Sequence, residues 1–212
     1  MGRIKKDIMG IVTGRVGNIS GSEWKGKAVI KSRPGPRKKG SSSPEQQKQQ
    51  ARFALMIAFL QPITYLLNLN FDRRAKGMSG FNRAFAYNLV QGITGTFPNF
   101  AIDYPKVQLS RGNQSSIGAA TCASPEAGKL VFSWTFIGED SLQSNDLVYV
   151  AAYNQEMNHW AYDRGTVQRS KGTIALNLTG LSGKPFHTYI GIISAKNGLT
   201  SNSFYSGIVT VV

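Results

Sequence analysis

From residue 99 onward, apolar side chains recur at every second position, which is typical of β-strands with one buried face. Turn-forming residues such as Asn154-Gln155-Glu156 separate the alternating runs. About six to eight such strands predict an antiparallel β-sandwich. The alternating positions are Val107 and Leu109; Leu130, Phe132 and Trp134; Val148, Val150 and Ala152; Trp160 and Tyr162; Ile174, Leu176 and Leu178; and the run from Ile208.

The preceding segment, residues 44–98, carries helix signals instead. Ser43 as N-cap, Pro44 at the first helical position and Gln46 as a capping-box partner predict a helix start. The following eight-residue apolar run is too short for a membrane span, so none is predicted. It places apolar side chains on several helix faces, which predicts burial by the sandwich, by a partner helix or by a neighbouring subunit. If the partner is a neighbouring subunit, the helix drives assembly. The predicted assembly residues are Phe53, Met56, Ile57, Phe59 and Leu60.

A second helix is predicted from about Asn82 to Ile93, with Phe81, Phe85 and Leu89 on one stripe. Before the helices, glycines divide short apolar runs, which predicts a hairpin-like ribbon. The predicted organisation is therefore α+β: a basic, Gly-rich arm and linker over residues 1–43, a helical segment over 44–98, and a sandwich over 99–212 that folds by itself.

Positive charge is concentrated in the N-terminal part of the chain. The whole chain has a formal charge of +14, and residues 1–84 hold seventeen Lys and Arg against four acidic residues. Such asymmetry indicates an anionic partner, and a solvated, solubilising surface is the alternative. A flexible basic arm suits phosphate contacts that do not depend on base sequence. The candidate nucleic-acid or neighbour-binding residues are Lys25, Lys27, Lys31, Arg33, Arg37, Lys38 and Lys39.

Residue patterns for catalysis and metal binding do not occur in the sequence. Cys122 is the single cysteine, and the two histidines, His159 and His187, lack metal-ligand spacing. Glu139, Asp140 and Asp146 are close in sequence, but they follow no calcium-loop motif. Phosphate-loop, dinucleotide and nucleophile-elbow motifs are also missing. We therefore expect a non-enzymatic protein with no cofactor.

Two stretches resemble a fibronectin type III, immunoglobulin-like sandwich. Lys129-Leu-Val-Phe-Ser-Trp-Thr is similar to its second strand, with Trp134 as the core tryptophan. The stretch from Leu176 to Asn197 resembles its penultimate strand, with Tyr189 at the position of the corner tyrosine. Gly191 departs from that pattern, where a branched apolar residue is usual. The resemblance implies a fold over about residues 103–212 and no particular activity.

The N-terminal half contains Gly14-Arg-Val-Gly-Asn-Ile-Ser-Gly-Ser-Glu-Trp-Lys-Gly, a GxVGNxxGxxWKG motif. Together with the Gln-rich helix that leads into Arg52-Phe-Ala-Leu, it resembles an uncharacterised bacterial family known as a domain of unknown function. The resemblance extends over the chain. It implies no activity and transfers no functional residue.

These features favour a structural or assembly subunit of a multi-subunit particle, with a bacteriophage or prophage virion (capsid or tail) as the leading hypothesis. Self-association or binding to other particle subunits is expected, and nucleic acid is a possible partner of the arm. One alternative is a cytoplasmic bacterial nucleic-acid-associated protein whose sandwich binds protein. Another is a surface module that binds carbohydrate or protein through exposed Trp160 and Tyr162. The predicted location is the virion or the bacterial cytoplasm, because Gly10, Gly14 and Arg15 interrupt any signal-peptide core.

Overall fold

The chain divides into two units, Met1–Ser43 and Pro44–Val212. The computed structural model describes residues 14–24, 27–36, 40, 42–71, 77–136 and 141–212. The division between the units coincides with the predicted end of the basic arm and linker. Each unit has its own set of strands, and the helices belong to the second unit.

The first unit contains a three-stranded antiparallel sheet with strands in sequence order. Its strands are β1 (Gly14–Val16), β2 (Ile19–Trp24) and β3 (Lys27–Ser32). Gly17 and Asn18 form the two-residue connection between β1 and β2, and Gly17 has a φ of +55°, which glycine adopts without steric cost. The predicted hairpin-like ribbon is thus extended by a third strand, which begins inside the predicted basic segment.

The second unit begins with a helix that starts where the sequence predicted, and its third helix lies about two residues before the predicted range of Asn82 to Ile93. Pro44 is the first residue of α1 (Pro44–Leu60), and Pro62 lies in a 3₁₀ turn that leads into α2 (Thr64–Asn70). Helix α3 (Gly80–Gln91) begins after Ser79, whose hydroxyl accepts a hydrogen bond from the Asn82 backbone N–H at 3.1 Å.

Length and composition alone would allow the continuous helical path Pro44–Asn70 to cross a membrane. The path is longer than the eight-residue run considered in the sequence because the turn at Pro62 continues it. Its apolar side chains Met56, Leu60, Ile63, Leu66 and Leu67 are completely buried within the chain. Core helices of globular proteins have the same properties, so a membrane span is only weakly supported.

The sandwich consists of a three-stranded and a four-stranded antiparallel sheet, preceded by a small hairpin. The hairpin strands are β4 (Ile93–Thr96) and β5 (Asn99–Ile102). The three-stranded sheet has the order β10-β7-β6, and the four-stranded sheet has the order β12-β11-β8-β9. Their bounds are β6 (Ala120–Ala123), β7 (Lys129–Trp134), β8 (Leu147–Asn154), β9 (His159–Gln168), β10 (Thr173–Asn177), β11 (Pro185–Ile193) and β12 (Phe204–Thr210). A four-residue helix, α4 (Ser141–Ser144), precedes β8.

This arrangement confirms the predicted α+β class and fibronectin type III-like sandwich. Trp134 is buried between the sheets as predicted, and its indole N–H donates to the Arg169 carbonyl at 2.7 Å. The corner prediction for Tyr189 is corrected. Its hydroxyl donates to the carbonyl of Tyr104 at 3.0 Å, 85 residues earlier, whereas a corner tyrosine bonds to backbone a few residues upstream.

The four-stranded sheet is buried on both faces. One face packs against the three-stranded sheet through side chains such as Val148, Val150 and Ile190. The other face presents Tyr149 and Tyr189 to the helices. Seven of the eight residues of β8 are buried, because alternate side chains enter different cores. The helices therefore complete the packing of the sandwich.

The predicted domain boundary at residue 98 consequently does not separate two compact units. Residues 44–98 and 99–212 lie in the same unit. The indole N–H of Trp160 in β9 donates to the Phe59 carbonyl at 2.9 Å, in the last turn of α1, where carbonyls lack helical partners. Asn88 of α3 also binds both backbone groups of Gln108 at 2.8 Å. These bonds tie the helices to the segments around them.

Gly191 departs from the fibronectin type III pattern because an aromatic ring occupies the adjacent space. A Cβ added at Gly191 would fall 2.6 Å from Tyr149 Oη, well inside van der Waals contact. Tyr149 is completely buried, and its hydroxyl is hydrogen-bonded to Ser110 Oγ. Neither side can move without disturbing the core between helices and sheet.

We predict that residues 44–212 unfold cooperatively and that residues 99–212 alone do not. Removing the helices would expose the apolar outer face of the four-stranded sheet to water. Circular dichroism thermal melts of the two fragments, with the intact chain as control, measure the difference. A cooperative transition of 99–212 within a few degrees of that of 44–212 would contradict the shared core.

We also predict that Gly191→Val lowers the free energy of unfolding by about 1–3 kcal/mol, because the core would be overpacked. Chemical denaturation measures the loss. Gly35→Ala is the control, since nothing lies within 4 Å of a Cβ at that position. Equal stability of Gly191→Val and the unmodified chain would mean that Tyr149 has room to shift.

Candidate functional site

The sheet of the first unit has a basic face. Residues opposite each other in an antiparallel pair lie on the same face. Arg15 pairs with Ser20, and Ser20 pairs with Lys31, so the three form one row across the sheet. Lys27 lies four residues from Lys31 on β3 and shares the face. Arg15 and Lys31 are on the two outer strands, roughly 10 Å apart.

Three of the predicted basic residues lie in this region. Lys27, Lys31 and Arg33 are all exposed, and the Arg33 backbone N–H donates to the Asn18 carbonyl at 2.9 Å. Lys25, Arg37, Lys38 and Lys39 lie outside the described residues. The structure adds Arg15, which the sequence prediction omitted. The Gly17-Asn18 turn was the available signal, because a two-residue hairpin fixes which residues of its strands face each other.

The opposite face of the same sheet is more apolar: it carries Ile19, Ala28 and Ile30, with Glu23 as its charged described residue. Ile30 pairs with Gly21, which has no side chain to cover its neighbour. Ile19 is 53% exposed and Ile30 is 70% exposed. The sheet also has two edge strands, β1 and β3, within its described order. Exposed β-branched residues and unpaired edges are features of surfaces that associate with other chains.

The predicted assembly surface on α1 is corrected. Met56, Phe59 and Leu60 are buried in the core between the helices and the four-stranded sheet. Ile57 is half-buried, and Phe53 is 47% exposed with its ring packed against Phe85 at 4.6 Å. The extra apolar faces of this helix are explained by packing inside the chain, because Phe53 contacts α3 while Met56, Phe59 and Leu60 share a core with the four-stranded sheet.

The predicted surface contact at Trp160 and Tyr162 is also corrected. Trp160 is buried, and its ring packs against Phe59 and Tyr153. Tyr162 is half-buried against the same core. Both side chains are consequently occupied in joining β9 to the helices.

Cys122 and His187, two side chains that could be chemically reactive, are held within the packed fold. Burial raises the pKa of the Cys122 thiol to about 12, although a hydrogen bond with Thr188 acts in the opposite direction. Burial lowers the pKa of His187 to about 4, so its imidazole is neutral at pH 7. The His187 ring stacks on Tyr104, and its Nδ1 lies 2.9 Å from Tyr205 Oη.

The acidic residues that were considered as calcium ligands are Glu139, Asp140 and Asp146. Glu139 and Asp140 lie outside the described residues. The Asp146 carboxylate is buried and accepts hydrogen bonds from Gln114 Nε2 at 2.8 Å and from the Ala195 N–H at 3.1 Å. Over the described ranges, no three His, Cys, Asp or Glu side chains are grouped so that they could hold a metal ion. Asp146 thus links two loops to the strand that follows it.

A cavity of about 840 Å³ lies among α2, α3 and the loops near residues 112 and 200. Sequence patterns do not reveal it, because its walls come from four separated segments. Arg83 and Arg111 are its charged described residues, and Leu69, Phe71 and Leu199 contribute apolar surface. Gly112 allows the close approach of two walls, since a Cβ there would lie 3.0 Å from the Thr200 carbonyl carbon.

Two solved structures have limited similarity to the chain, and one of them is a fibronectin type III domain. The fn3 domain of human collagen alpha-1(XX) chain is 17% identical, with a TM-score of 0.34; the match covers 47% of this chain and 87% of that chain. A structure titled "Myokine structure" is 13% identical, with a TM-score of 0.32, and the match covers 47% and 98%. No curated protein matches the chain.

A family model matches residues 11–207, which include both the Gly-rich N-terminal motif and the sandwich. The match covers most of the chain, including the elements that form the two-sided packing and the basic face. The chain therefore belongs to the family of unknown function DUF6266.

Proposed function

We propose that this protein is a non-enzymatic assembly subunit of a multi-subunit particle, and that its N-terminal sheet is the contact element. The observation that carries the proposal is the two-faced sheet of residues 14–32, with Lys31 on one face and the exposed Ile30 on the other. A bacteriophage or prophage virion is the particle class that we propose from the sequence. The second unit supplies a packed body for the contact element.

The apolar face supports contact with a neighbouring copy. A small sheet gains most of its stability by burying one face, and Ile30 has 70% of its surface exposed in the single chain. A neighbour that covers Ile19 and Ile30 would remove this apolar area from water. Among the described residues, β1 and β3 have no further strand on their outer sides, and these edges offer backbone hydrogen bonds to the same neighbour.

The basic face favours a polyanion as the second partner. Arg15, Lys27 and Lys31 are exposed and lie on one side of a sheet, so all three can meet a phosphate backbone at once. Contacts of this kind carry no base-sequence information. A nucleic acid held in the particle is thus the proposed ligand of this face.

We predict that Ile30→Ser weakens self-association of the intact chain by at least roughly 10-fold, because an apolar anchor of the interface is lost. Light scattering after size-exclusion chromatography, across micromolar concentrations, measures the assembly state. Ile208→Ser is the matched control, since Ile208 is a strand isoleucine in the second unit with 60% exposure. A monomeric intact chain over this concentration range would contradict the proposal.

We further predict that Arg15→Ser, Lys27→Ser and Lys31→Ser together weaken binding of DNA duplexes of any sequence. The plot of log affinity against log salt should become shallower by roughly 3, as expected for about three lost phosphate contacts. Fluorescence anisotropy between about 50 and 200 mM salt measures the slope.

The matched control for this charge change is Arg164→Ser, Lys171→Ser and Lys196→Ser, which removes equal charge from exposed positions in the second unit. An equal loss of affinity in both triple variants would indicate a general charge effect. Absence of DNA binding by the intact chain at low salt would leave the neighbour-contact function and remove nucleic acid from the proposal.

A further inference from the structure

The cavity near α3 has the composition of a ligand site. Its volume of about 840 Å³ falls within the range of small-molecule pockets. Leu69, Phe71, Met78 and Leu199 give it apolar walls, and Arg83 and Arg111 give it positive charge. None of the described residues that line it is acidic. The site is separate from the N-terminal sheet on which the proposed function depends.

The two arginines are not neutralised by described carboxylates. The ion pairs between described residues are four Lys–carboxylate pairs, and none includes either arginine. Two nitrogens of Arg83, Nε and Nη1, are buried and have no hydrogen-bond partner in this part of the chain. A guanidinium stays charged in proteins, so an anion in the cavity would offset the cost of the buried charge by electrostatic attraction, without contacting these two nitrogens.

Arg111 is held in place at the cavity wall. Its guanidinium lies over the Tyr87 ring, with Cζ 4.6 Å from the ring centroid. Its backbone N–H donates to the Asn70 carbonyl at 3.4 Å, at the end of α2. A charged group with fixed position loses little conformational freedom when a ligand binds.

The cavity wall also includes the asparagines Asn197 and Asn202. The Asn202 amide oxygen accepts from the Gly112 N–H at 3.3 Å, and the Asn197 amide oxygen accepts from the Leu199 N–H at 3.0 Å. Because their oxygens are engaged by backbone, each amide has its NH₂ group left to donate to a ligand.

We propose that this cavity binds a small organic anion, with a carboxylate or phosphate head on Arg83 and Arg111 and an apolar body against Leu69, Phe71 and Leu199. The combination of two guanidiniums and two amide donors matches an oxyanion, which accepts hydrogen bonds only. The apolar walls select an anion that carries a hydrocarbon or aromatic body over inorganic phosphate.

The test is isothermal titration calorimetry on the intact chain with benzoate, phenyl phosphate, inorganic phosphate and the neutral benzamide. At least one of the two aromatic anions should bind with a Kd below about 1 mM, and benzamide should bind at least roughly 10-fold more weakly. Benzoate and phenyl phosphate distinguish the two head groups, and tighter binding of either supports the site. Binding of benzamide as tight as that of both anions, or no anion binding at 10 mM (roughly ten times that Kd), would overturn the proposal.

Substitutions assign the binding to these residues. Arg83→Gln and Arg111→Gln should each weaken binding of the preferred anion by roughly 10-fold or more, as expected for a lost charge-assisted contact. Arg164→Gln is the matched control, because Arg164 also stacks on a tyrosine, Tyr65, but lies outside the cavity. Unchanged affinity in both cavity variants would overturn the assignment.

A third variant tests the site even if the arginine variants fail to fold. Asn202→Asp keeps the oxygen that accepts from the Gly112 N–H and replaces the amide donor by negative charge. Asn202 is exposed, so the thermal midpoint should not change. Anion affinity should fall by at least roughly 10-fold through like-charge repulsion. Retention of full affinity in Asn202→Asp would count against the site.

Discussion

Coverage of both faces of the four-stranded sheet is the constraint on which the second unit depends. Tyr149, Tyr153 and Tyr189 lie on the face opposite the sandwich core, and α1 and α2 cover them. The buried hydrogen bond from Trp160 to the Phe59 carbonyl fixes the end of α1 on this face. A sandwich ordinarily leaves its outer faces to solvent, with polar residues at the alternate positions. Here aromatic residues occupy those positions, so the helices are part of the fold.

The sequence was sufficient to predict the sandwich, the start of α1 and the approximate position of α3, because these depend on local signals. Alternating apolar residues at Leu130, Phe132 and Trp134, with turn residues on both sides, indicate a β-strand. Pro44 indicates the first turn of a helix. The partner of the apolar helix was not predictable in the same way. Apolar residues on several sides of α1 indicate burial, but burial by the same chain and burial by a neighbour give the same pattern. The structure assigns Met56 and Leu60 to the chain's own core.

Features that depend on cross-strand neighbours were also beyond sequence reasoning. The need for glycine at position 191 is explained by Tyr149, which lies directly beside it in the adjacent strand. The cavity is similar, since Arg83 and Arg111 are 28 positions apart in the chain. On the N-terminal sheet, charge counting found Lys27 and Lys31. The Gly17-Asn18 turn signals the pairing of β1 with β2, and the register of β3 is needed to place Arg15 in one row with Lys31 and Ile30 on the other face. Amino-acid composition therefore indicates the chemical type of partner, and the pairing of strands determines which residues form the contact surface.

The contact between Trp160 and Phe59 joins residues that are 101 positions apart. During synthesis from the N-terminus, α1 is complete long before β8, β9 and β11 exist to cover its apolar side chains. Contacts over such sequence separations slow folding, and uncovered apolar surface favours aggregation in the meantime. In the nascent chain, the apolar side chains of α1 thus stay exposed for an extended period, and a chaperone can bind them during that time. Its yield in cells should depend on that help more than the small size of the chain suggests.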